Sequence, residues 1–256
     1  MNSLVFRGYT YFRHALRSVR SKRGFGVHSP FAFEFITEVL NPTSDAGFYC
    51  FDAIEQLRYQ LYERPNSLTL NNGQTRTLAK IAKTSASTTK DGQILFRCAR
   101  YTHSQNIIEL GTSLGLGSAY LASHSSKAQL YTIDHDTKVQ EIAQENLKTL
   151  HLKNVRFINE NFQEGLKKLL NPSFSLDLAF IDGHHQGEAT QHYYQMLLPH
   201  THKDSLLIFH DIHWSEDMYQ AWRNILKDEH ISTSFECYNM GFVFLNPELN
   251  KAHYYA

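Results

Sequence analysis

Short apolar runs alternate with helical patterns along most of the chain. From about residue 92, five apolar runs predict strands at 106–110, 130–134, 155–158, 176–182 and 205–211. Helical periodicity between and after them predicts helices near 116–124, 137–150, 162–170, 187–198 and 215–228. This alternation is typical of a parallel sheet that is covered by helices on both faces.

Two further β-rich segments close the chain, at 231–238 and 241–246. The turn between them is so short that it can join only antiparallel strands. We therefore predict an α/β fold, a Rossmann-like doubly wound sheet of seven strands, mainly parallel, with the last one antiparallel. The change of pattern near residue 92 predicts a helical extension and lid over 1–91 and a core domain over 92–256.

The N-terminal segment is basic. Its first 33 residues contain no acidic side chain, whereas the basic ones are Arg7, Arg13, Arg17, Arg20, Lys22 and Arg23. Apolar side chains recur at helical spacing at Val5, Tyr9, Phe12, Leu16 and Val19. We expect a helix that docks by this face on its own protein or on a second subunit, which would give a homo-oligomer. A basic helix that contacts an anionic surface or nucleic acid is the alternative.

Composition excludes several classes of protein. Lys+Arg and Asp+Glu are 25 each, so no global basic charge drives nucleic-acid binding. No apolar run approaches the roughly 18 residues that a membrane span requires, and the N-terminus lacks the apolar core of a signal peptide. Three widely spaced cysteines fit neither a disulfide framework nor a metal site. We expect a cytoplasmic protein whose partner is a small molecule.

A glycine-rich turn, ELGTSLGLGS, follows the first predicted strand at 109–118. Glycines there allow a tight turn and a close approach of the backbone to a ligand. A nicotinamide dinucleotide fingerprint that starts at Gly111 would require glycine where Ser113 and Leu116 stand. Glu109 ends a buried strand, where a carboxylate is costly unless it meets a cation or a donor. We take it to face a ligand, with a backbone contact or an arginine as the alternative.

Asp134 ends the second predicted strand. In this topology an acid at that position can accept hydrogen bonds from both ribose hydroxyls of an adenosine ligand. Asp136 lies two residues further on and could simply cap the helix at 137–150. The sequence therefore predicts a nucleoside site beside the glycine turn.

Four motifs carry a family resemblance: ELGTSLGLG, TID, AFIDGHH and LLIFHDIHW, in this order. They resemble the motifs of class I S-adenosylmethionine-dependent methyltransferases, and within that class the O-methyltransferase branch that includes catechol O-methyltransferase. The resemblance covers about residues 92–245. It implies S-adenosyl-L-methionine as the cofactor and does not identify the methyl acceptor.

The resemblance also implies roles for single residues. The turn around the methionine end of the cofactor would be formed by Gly111, Ser113 and Gly115, with Glu109 close to the amino group. Asp134 would bind the ribose, and Asn161 and Phe162 would hold the adenine. Asp182 would face the methionine part and the transfer site, and Ser85–Ser87 resemble a lid segment.

Proton removal from the acceptor requires a base. In the catechol-type enzymes a lysine stands three residues after the aspartate that corresponds to Asp182, and here this position is His185. Histidine ordinarily titrates near pH ~6.5, which suits proton abstraction at neutral pH. His184 is the second candidate, and capping of the next helix is the alternative for both. Trp214 and Tyr193 could form apolar walls for an acceptor ring or belong to the core.

A metal site is the last prediction. The resemblance implies magnesium held by an aspartate after strand four and an Asp-Asn pair after strand five. The matching residues here are Asp182, His210 and Asp211, which break the oxygen-only set and would better suit zinc, manganese or iron. The alternative is that His210 packs under the sheet while Asp211 and His213 bind backbone groups of the following loop and helix.

Together these features predict S-adenosylmethionine-dependent methyl transfer to an oxygen of a small-molecule acceptor, with nitrogen as the second choice. Two other functions stay open at this point. One is an S-adenosylmethionine-binding protein without catalysis. The other is a nicotinamide-dependent oxidoreductase on a similar sheet.

Overall fold

The computed structural model describes residues 3–19, 24, 26–42 and 48–256. Three of the basic residues singled out above, Arg20, Lys22 and Arg23, lie outside the described residues. The chain divides into two compact units, one of residues 46–171 and one of residues 1–45 with 172–256. The predicted boundary near residue 91 falls inside the unit of residues 46–171, and the N-terminal extension over 1–91 stays a prediction.

The elements follow in chain order. Residues before 46 form α1 (Ser3–Ser18) and α2 (Pro30–Glu34), which continues as a π-helix over Phe35–Leu40. The helices of 46–171 are α3 (Tyr49–Tyr62), α4 (Leu78–Thr84), α5 (Thr89–Tyr101), α6 (Leu116–Ser123), α7 (Thr137–Thr149) and α8 (Phe162–Leu169). The strands of this unit are β1 (Ser67–Thr69), β2 (Thr75–Thr77), β3 (Asn106–Leu110), β4 (Gln129–Asp134) and β5 (Val155–Asn159).

The C-terminal part continues the same alternation. Its strands are β6 (Leu176–Ile181), β7 (Thr201–His210), β8 (Thr233–Glu236), β9 (Met240–Phe244) and β10 (Ala252–Tyr255). Its helices are α9 (Gly187–Leu197), followed by a short 3-10 turn, and α10 (Glu216–Ile225). No described helix is long and apolar enough to cross a membrane.

In the unit of residues 46–171, β4 lies between β3 and β5 and pairs in parallel with both. The register sets Glu109 beside Thr132, so that β3 and β4 end next to each other. The strands are apolar because helices cover them, and Ile107, Ile108 and Ile133 are fully buried. Parallel strands that end together give the turn after β3 and the loop after β4 a common edge of the sheet.

In the unit of residues 1–45 and 172–256, β7 pairs in parallel with β6 and antiparallel with β9. The predicted hairpin is formed by β8 and β9, and β10 adds a parallel strand to β8. The predicted α/β class with mainly parallel strands and an antiparallel ending is confirmed. The strands from β3 onward number eight instead of seven, because the four-residue β10 was not recognised, and the short hairpin of β1 and β2 was also missed.

Helix α1 was predicted correctly as a helix but with the wrong face toward its own protein. The expected docking residues are between 53% and 73% exposed, namely Val5, Tyr9, Phe12, Leu16 and Val19. The buried face lies on another side of the helix and consists of Phe6, Thr10, His14 and Ser18. His14 Nε2 lies 2.9 Å from the backbone oxygen of Glu236, a contact that an apolar side chain could not make. Contact of the exposed stripe with a second subunit stays a prediction.

Candidate active site

The turn after β3 has a left-handed backbone at three positions. The φ angles of Gly111, Ser113 and Gly115 are 105°, 45° and 80°. For Ser113, which has a β-carbon, this conformation costs about 1–3 kcal/mol and such strain concentrates at functional sites. The turn is fastened to β4, since the Gly111 N–H donates to the Ile133 carbonyl over 3.0 Å and the Ser113 N–H donates to Asp134 Oδ2 over 3.2 Å.

The Ser113 hydroxyl is buried, and its Oγ has no hydrogen-bond partner among the described residues. Buried hydroxyls are nearly always paired, so an unpaired one marks a position where a bound group completes the site. The residues of the turn therefore fit a polar ligand.

Glu109 is 1% exposed and its carboxylate is held by hydroxyl groups. Its Oε2 accepts hydrogen bonds from Ser118 Oγ and from Thr132 Oγ1, the latter over 2.6 Å. The sequence analysis did not identify Ser118 or Thr132. Their positions could have indicated these contacts, because Ser118 follows the turn and Thr132 lies opposite Glu109 in the paired strands. These contacts explain how the carboxylate is tolerated at the end of a buried strand.

Two glycines of the motif have different structural reasons. A β-carbon on Gly117 would lie 2.9 Å from both Glu109 Oε1 and Ser87 Oγ, so glycine keeps the space between these two groups open. A β-carbon on Gly115 would lie 2.5 Å from Leu147 Cδ1, so this glycine allows α6 to approach α7. The sequence indicated Gly115 as a ligand contact and missed Gly117, which is the glycine beside the predicted amino-group site.

Asp134 is in place at the end of β4. Besides the Ser113 N–H, which reaches its Oδ2, the carboxylate accepts the Asp136 N–H at Oδ1 over 3.0 Å. Asp136 caps α7 as expected, because its Oδ1 accepts the Val139 N–H. Glu109, Ser113 and Asp134 thus lie around one turn, and the ligand contacts expected of them stay predictions.

The predicted adenine contacts lie at the start of α8. Asn161 is the N-cap of this helix, and its Oδ1 accepts the Glu164 N–H over 3.0 Å. Its amide nitrogen is therefore the part of the side chain that could reach a base. Phe162 is 6% exposed and is largely core.

A second set of polar residues lies at the ends of β6 and β7. Within the described part of the chain, Asp182, His185 and Asp211 form the one group of three potential metal ligands, and their ligand atoms lie within 4.8 Å of one another. His210 stands beside this group, with Nδ1 3.1 Å from Asp182 Oδ1. His185 Nδ1 lies 3.3 Å from Asp211 Oδ2. The structure thus places His185, rather than His210, in the potential ligand set.

The backbone at these residues is strained. The φ angles of His184, His185 and Asp211 are 62°, 45° and 54°, in a region that side chains with a β-carbon rarely adopt. Two consecutive left-handed residues turn the chain sharply after β6 and direct the two imidazoles differently. His184 Nδ1 lies 2.6 Å from the hydroxyl of Tyr193, which is buried on α9. His184 is therefore anchored, whereas His185 faces the two acids.

The pKa values of Asp182 and Asp211 are shifted in opposite directions. Burial raises the pKa of Asp182. The charge and hydrogen bond of His210 and the charge of His185 lower it by a larger amount, so that it lies below its ordinary value. Burial raises the pKa of Asp211 above its ordinary value, and the negative charge of Asp182 adds to the rise. The charges of His210, His185 and Arg7 oppose that rise only in part. Two nearby acids with separated pKa values are a common feature of catalytic sites.

Trp214 and Tyr193, the two predicted acceptor walls, differ in exposure. Trp214 is 44% exposed, and its ring centroid lies 5.3 Å from that of His185. Tyr193 is only 5% exposed and belongs to the core of its unit. Only Trp214 therefore offers an open aromatic surface next to the predicted base.

Comparison with known proteins agrees with this site. Residues 108–212 match the family model described as a methyltransferase domain, a range that begins in β3 and ends just after Asp211. This match confirms the predicted resemblance to methyltransferases and the predicted enzyme class. No curated protein matches the chain significantly.

Solved structures share the fold. The O-methyltransferase TomG from Streptomyces achromogenes, in complex with SAM, is 15% identical with a TM-score of 0.59, over 78% of this chain and 91% of its own. An O-methyltransferase from Bacillus cereus, in complex with SAH, is 17% identical with a TM-score of 0.59, over 82% and 96%. The SAH-bound methyltransferase PaMTH1 from Podospora anserina is 14% identical with a TM-score of 0.61, over 76% and 88%. These matches confirm the Rossmann-like fold, and their ligands agree with the predicted cofactor.

Proposed function

We propose that this protein transfers the methyl group of S-adenosylmethionine to an oxygen of a small-molecule acceptor. The observation that carries the proposal is the strained turn in which the unpaired Ser113 hydroxyl, the buried Glu109 carboxylate and Asp134 converge. The methyltransferase-domain match over 108–212 supports it, as do neighbours crystallised with SAM or SAH. A glycine spacing that departs from the dinucleotide fingerprint argues against a nicotinamide cofactor.

In this proposal the cofactor is held by residues of the unit 46–171. Glu109 receives the amino group on the side of its Oε1, next to Gly117, which has no side chain. Gly111 and Ser113 contact the methionine end, and Asp134 accepts the ribose hydroxyls. The amide of Asn161 and the ring of Phe162 contact the adenine.

Acceptor activation is assigned to the residues after β6 and β7. S-adenosylmethionine, when bound, supplies an electrophilic methyl group that passes to the acceptor oxygen as its carbon–sulfur bond breaks and the electron pair stays on sulfur. His185 takes the hydroxyl proton through Nε2, since Nδ1 is directed to the Asp211 carboxylate. Asp211 orients the imidazole and stabilises its positive charge after the proton is taken. The family motifs assign this set and the cofactor set to one reaction.

A divalent cation at Asp182, His185 and Asp211 is the second candidate for the acceptor side. Two carboxylates and an imidazole suit manganese, iron or zinc better than magnesium. A cation bound there would lower the pKa of the acceptor hydroxyl. His185 would then be a ligand and not the base, and His210 would orient Asp182 from its position 3.1 Å away.

Chelation separates these two roles of His185. We expect protein treated with EDTA and desalted to keep both its S-adenosylhomocysteine affinity and its methyl transfer, because the contacts proposed for the cofactor and for the base include no ion. Calorimetry and product formation are measured before and after treatment, with metal analysis of untagged protein. Loss of turnover that manganese or zinc restores would assign His185 to the metal, and loss of S-adenosylhomocysteine binding would make the cation structural.

Substitution of Asp134 tests the cofactor site. We expect Asp134→Ala to weaken S-adenosylhomocysteine binding at least about tenfold, because the ribose loses a charged acceptor and the Ser113 N–H loses its partner. Calorimetry with S-adenosylhomocysteine and with NAD gives the dissociation constants, and Glu141→Gln on the exposed side of α7 is the control. Tight binding of NAD instead, or an unchanged affinity of folded Asp134→Ala, would contradict the assignment.

We also assign the protein to the cytoplasm. Its three cysteines, Cys50, Cys98 and Cys237, form no disulfide with one another. Free thiols persist in reducing compartments, whereas exported proteins of this kind commonly form disulfides.

A further inference from the structure

The described arginines of α1 have different surroundings. Arg17 donates from Nη1 to the Tyr255 hydroxyl over 2.7 Å and lies over that ring. Arg13 lies over Tyr9 of its own helix, 5.3 Å from the ring centroid. Arg7 lies over Trp214, 4.7 Å from the ring centroid, and Trp214 is the exposed aromatic residue next to His185.

Arg7 forms no salt bridge in the part of the chain that the structure describes, where no carboxylate lies within 4.0 Å of its guanidinium. Its side chain is half-buried, and among the described residues its guanidinium donors have no hydrogen-bond acceptor. A guanidinium in this state is suited to a bidentate contact with an anion.

The backbone holds Arg7 in place. The Tyr238 hydroxyl donates to the Arg7 carbonyl over 3.1 Å. The adjacent Phe6 packs edge-on against Tyr219 of α10, with ring centroids 6.1 Å apart. The start of α1 is thus tied to both the loop after β8 and the helix that follows Trp214, and Arg7 is fixed next to the acceptor side.

We infer that the methyl acceptor is an aromatic hydroxy acid, whose carboxylate binds Arg7 and whose ring contacts Trp214. This inference rests on the proposed function, since it names the substrate class of the same site. Trp214 is 44% exposed, the His185 ring centroid lies 5.3 Å from its ring centroid, and the Arg7 guanidinium carbon lies 4.7 Å from it. An aromatic ring with a hydroxyl and a carboxylate at separate positions matches these three groups.

The competing explanation is that Arg7 only docks α1 or balances the charge of Asp211. Either role would affect every acceptor alike, whatever its charge. Matched pairs of acceptors that differ only in charge therefore separate recognition from a structural role.

The experiment compares hydroxybenzoates with the corresponding hydroxybenzamides as acceptors of full-length protein with S-adenosylmethionine. We expect the wild-type protein to prefer the acids at least about tenfold in kcat/KM. Arg7→Gln should raise the KM of the acids by about tenfold while the KM of the amides changes less than about twofold, and Arg7→Lys should restore part of the difference. Arg13→Gln, on the same helix, is the matched control and should behave as wild type.

Each outcome has a defined meaning. Equal use of acids and amides by the wild-type protein would overturn the inference, and this arm does not depend on any variant folding. Equal loss for acids and amides in Arg7→Gln would also overturn it, as would methylation of none of the acids by protein that binds S-adenosylhomocysteine. Failure to bind S-adenosylhomocysteine would instead overturn the proposed function.

Discussion

Replacing His185 with alanine is expected to lower kcat by about 10²- to 10⁴-fold, the usual contribution of a general base. The acceptor hydroxyl would then lack the imidazole that takes its proton. Asp211 would remain, but its assigned role is to orient that imidazole. S-adenosylhomocysteine affinity should stay within about twofold of wild type, since no cofactor contact is assigned to this residue. Methyl transfer is measured at saturating acceptor, together with calorimetry of S-adenosylhomocysteine binding.

The neighbouring His184 provides the matched control. Its Nδ1 contacts the Tyr193 hydroxyl over 2.6 Å, so it is engaged with α9. His184→Ala should therefore lower thermal stability and leave kcat within about threefold of wild type. A large loss of kcat in His184→Ala with a small one in His185→Ala would reverse the assignment of the base.

Features that depend on local sequence were predicted well. The strand at 106–110 was predicted with its observed bounds, and the helices at 116–124 and 137–150 differ by one residue at one end. Each of these segments carries its own periodicity and its own turn residues. Glu109 and Asp134 could be placed because parallel strands end at a common edge, which follows from topology alone.

Features that depend on distant residues were not predictable in this way. The inner face of α1 is polar at His14, whose partner Glu236 lies 222 residues further along the chain. A hydrophobic pattern selects the face that is apolar, not the face that finds hydrogen-bond partners. The role of Gly117 likewise depends on Ser87, which lies in the connection between α4 and α5.

The potential metal ligands show a limit of a different kind. Adjacent residues of a strand point to opposite faces, so His210 and Asp211 could share a site only if the backbone departed from the strand. It does so at Asp211, whose φ is 54°, and His185 reaches the same place through two left-handed residues. Such strained conformations of non-glycine residues have no signature in a single sequence.

A buried charge network in the unit 1–45 and 172–256 gives the second large effect. Glu236 is 2% exposed, and its Oε2 accepts the Trp222 Nε1–H over 2.8 Å. Nε2 of His213 and Nε2 of His253 each lie 3.4 Å from one of its carboxylate oxygens. Burial raises the pKa of Glu236, but the nearby His253 imidazole, the charge of His213 and the hydrogen bond from Trp222 together lower it by more, so that it lies below its ordinary value.

Glu236→Ala is expected to lower the free energy of unfolding at pH 7 by about 1–3 kcal/mol, the cost of leaving a buried donor without its acceptor. The substitution leaves the Trp222 N–H without an acceptor and removes the carboxylate oxygens that lie next to His213 and His253. Urea unfolding followed by circular dichroism gives the free energies. The exposed Glu229→Ala is the control, with an expected change within about 0.5 kcal/mol.

The pH dependence follows from the direction of the Glu236 pKa. Because the pKa is lower in the folded protein, the folded state binds fewer protons at this group, and stability falls as the pH falls. The contribution is fully present above the ordinary pKa of 4.5 and is lost as the pH drops through the folded value. The difference in unfolding free energy between wild type and Glu236→Gln should therefore shrink as the pH falls below about 4.5. A difference that instead grows below this pH would show that Glu236 is protonated in the folded protein.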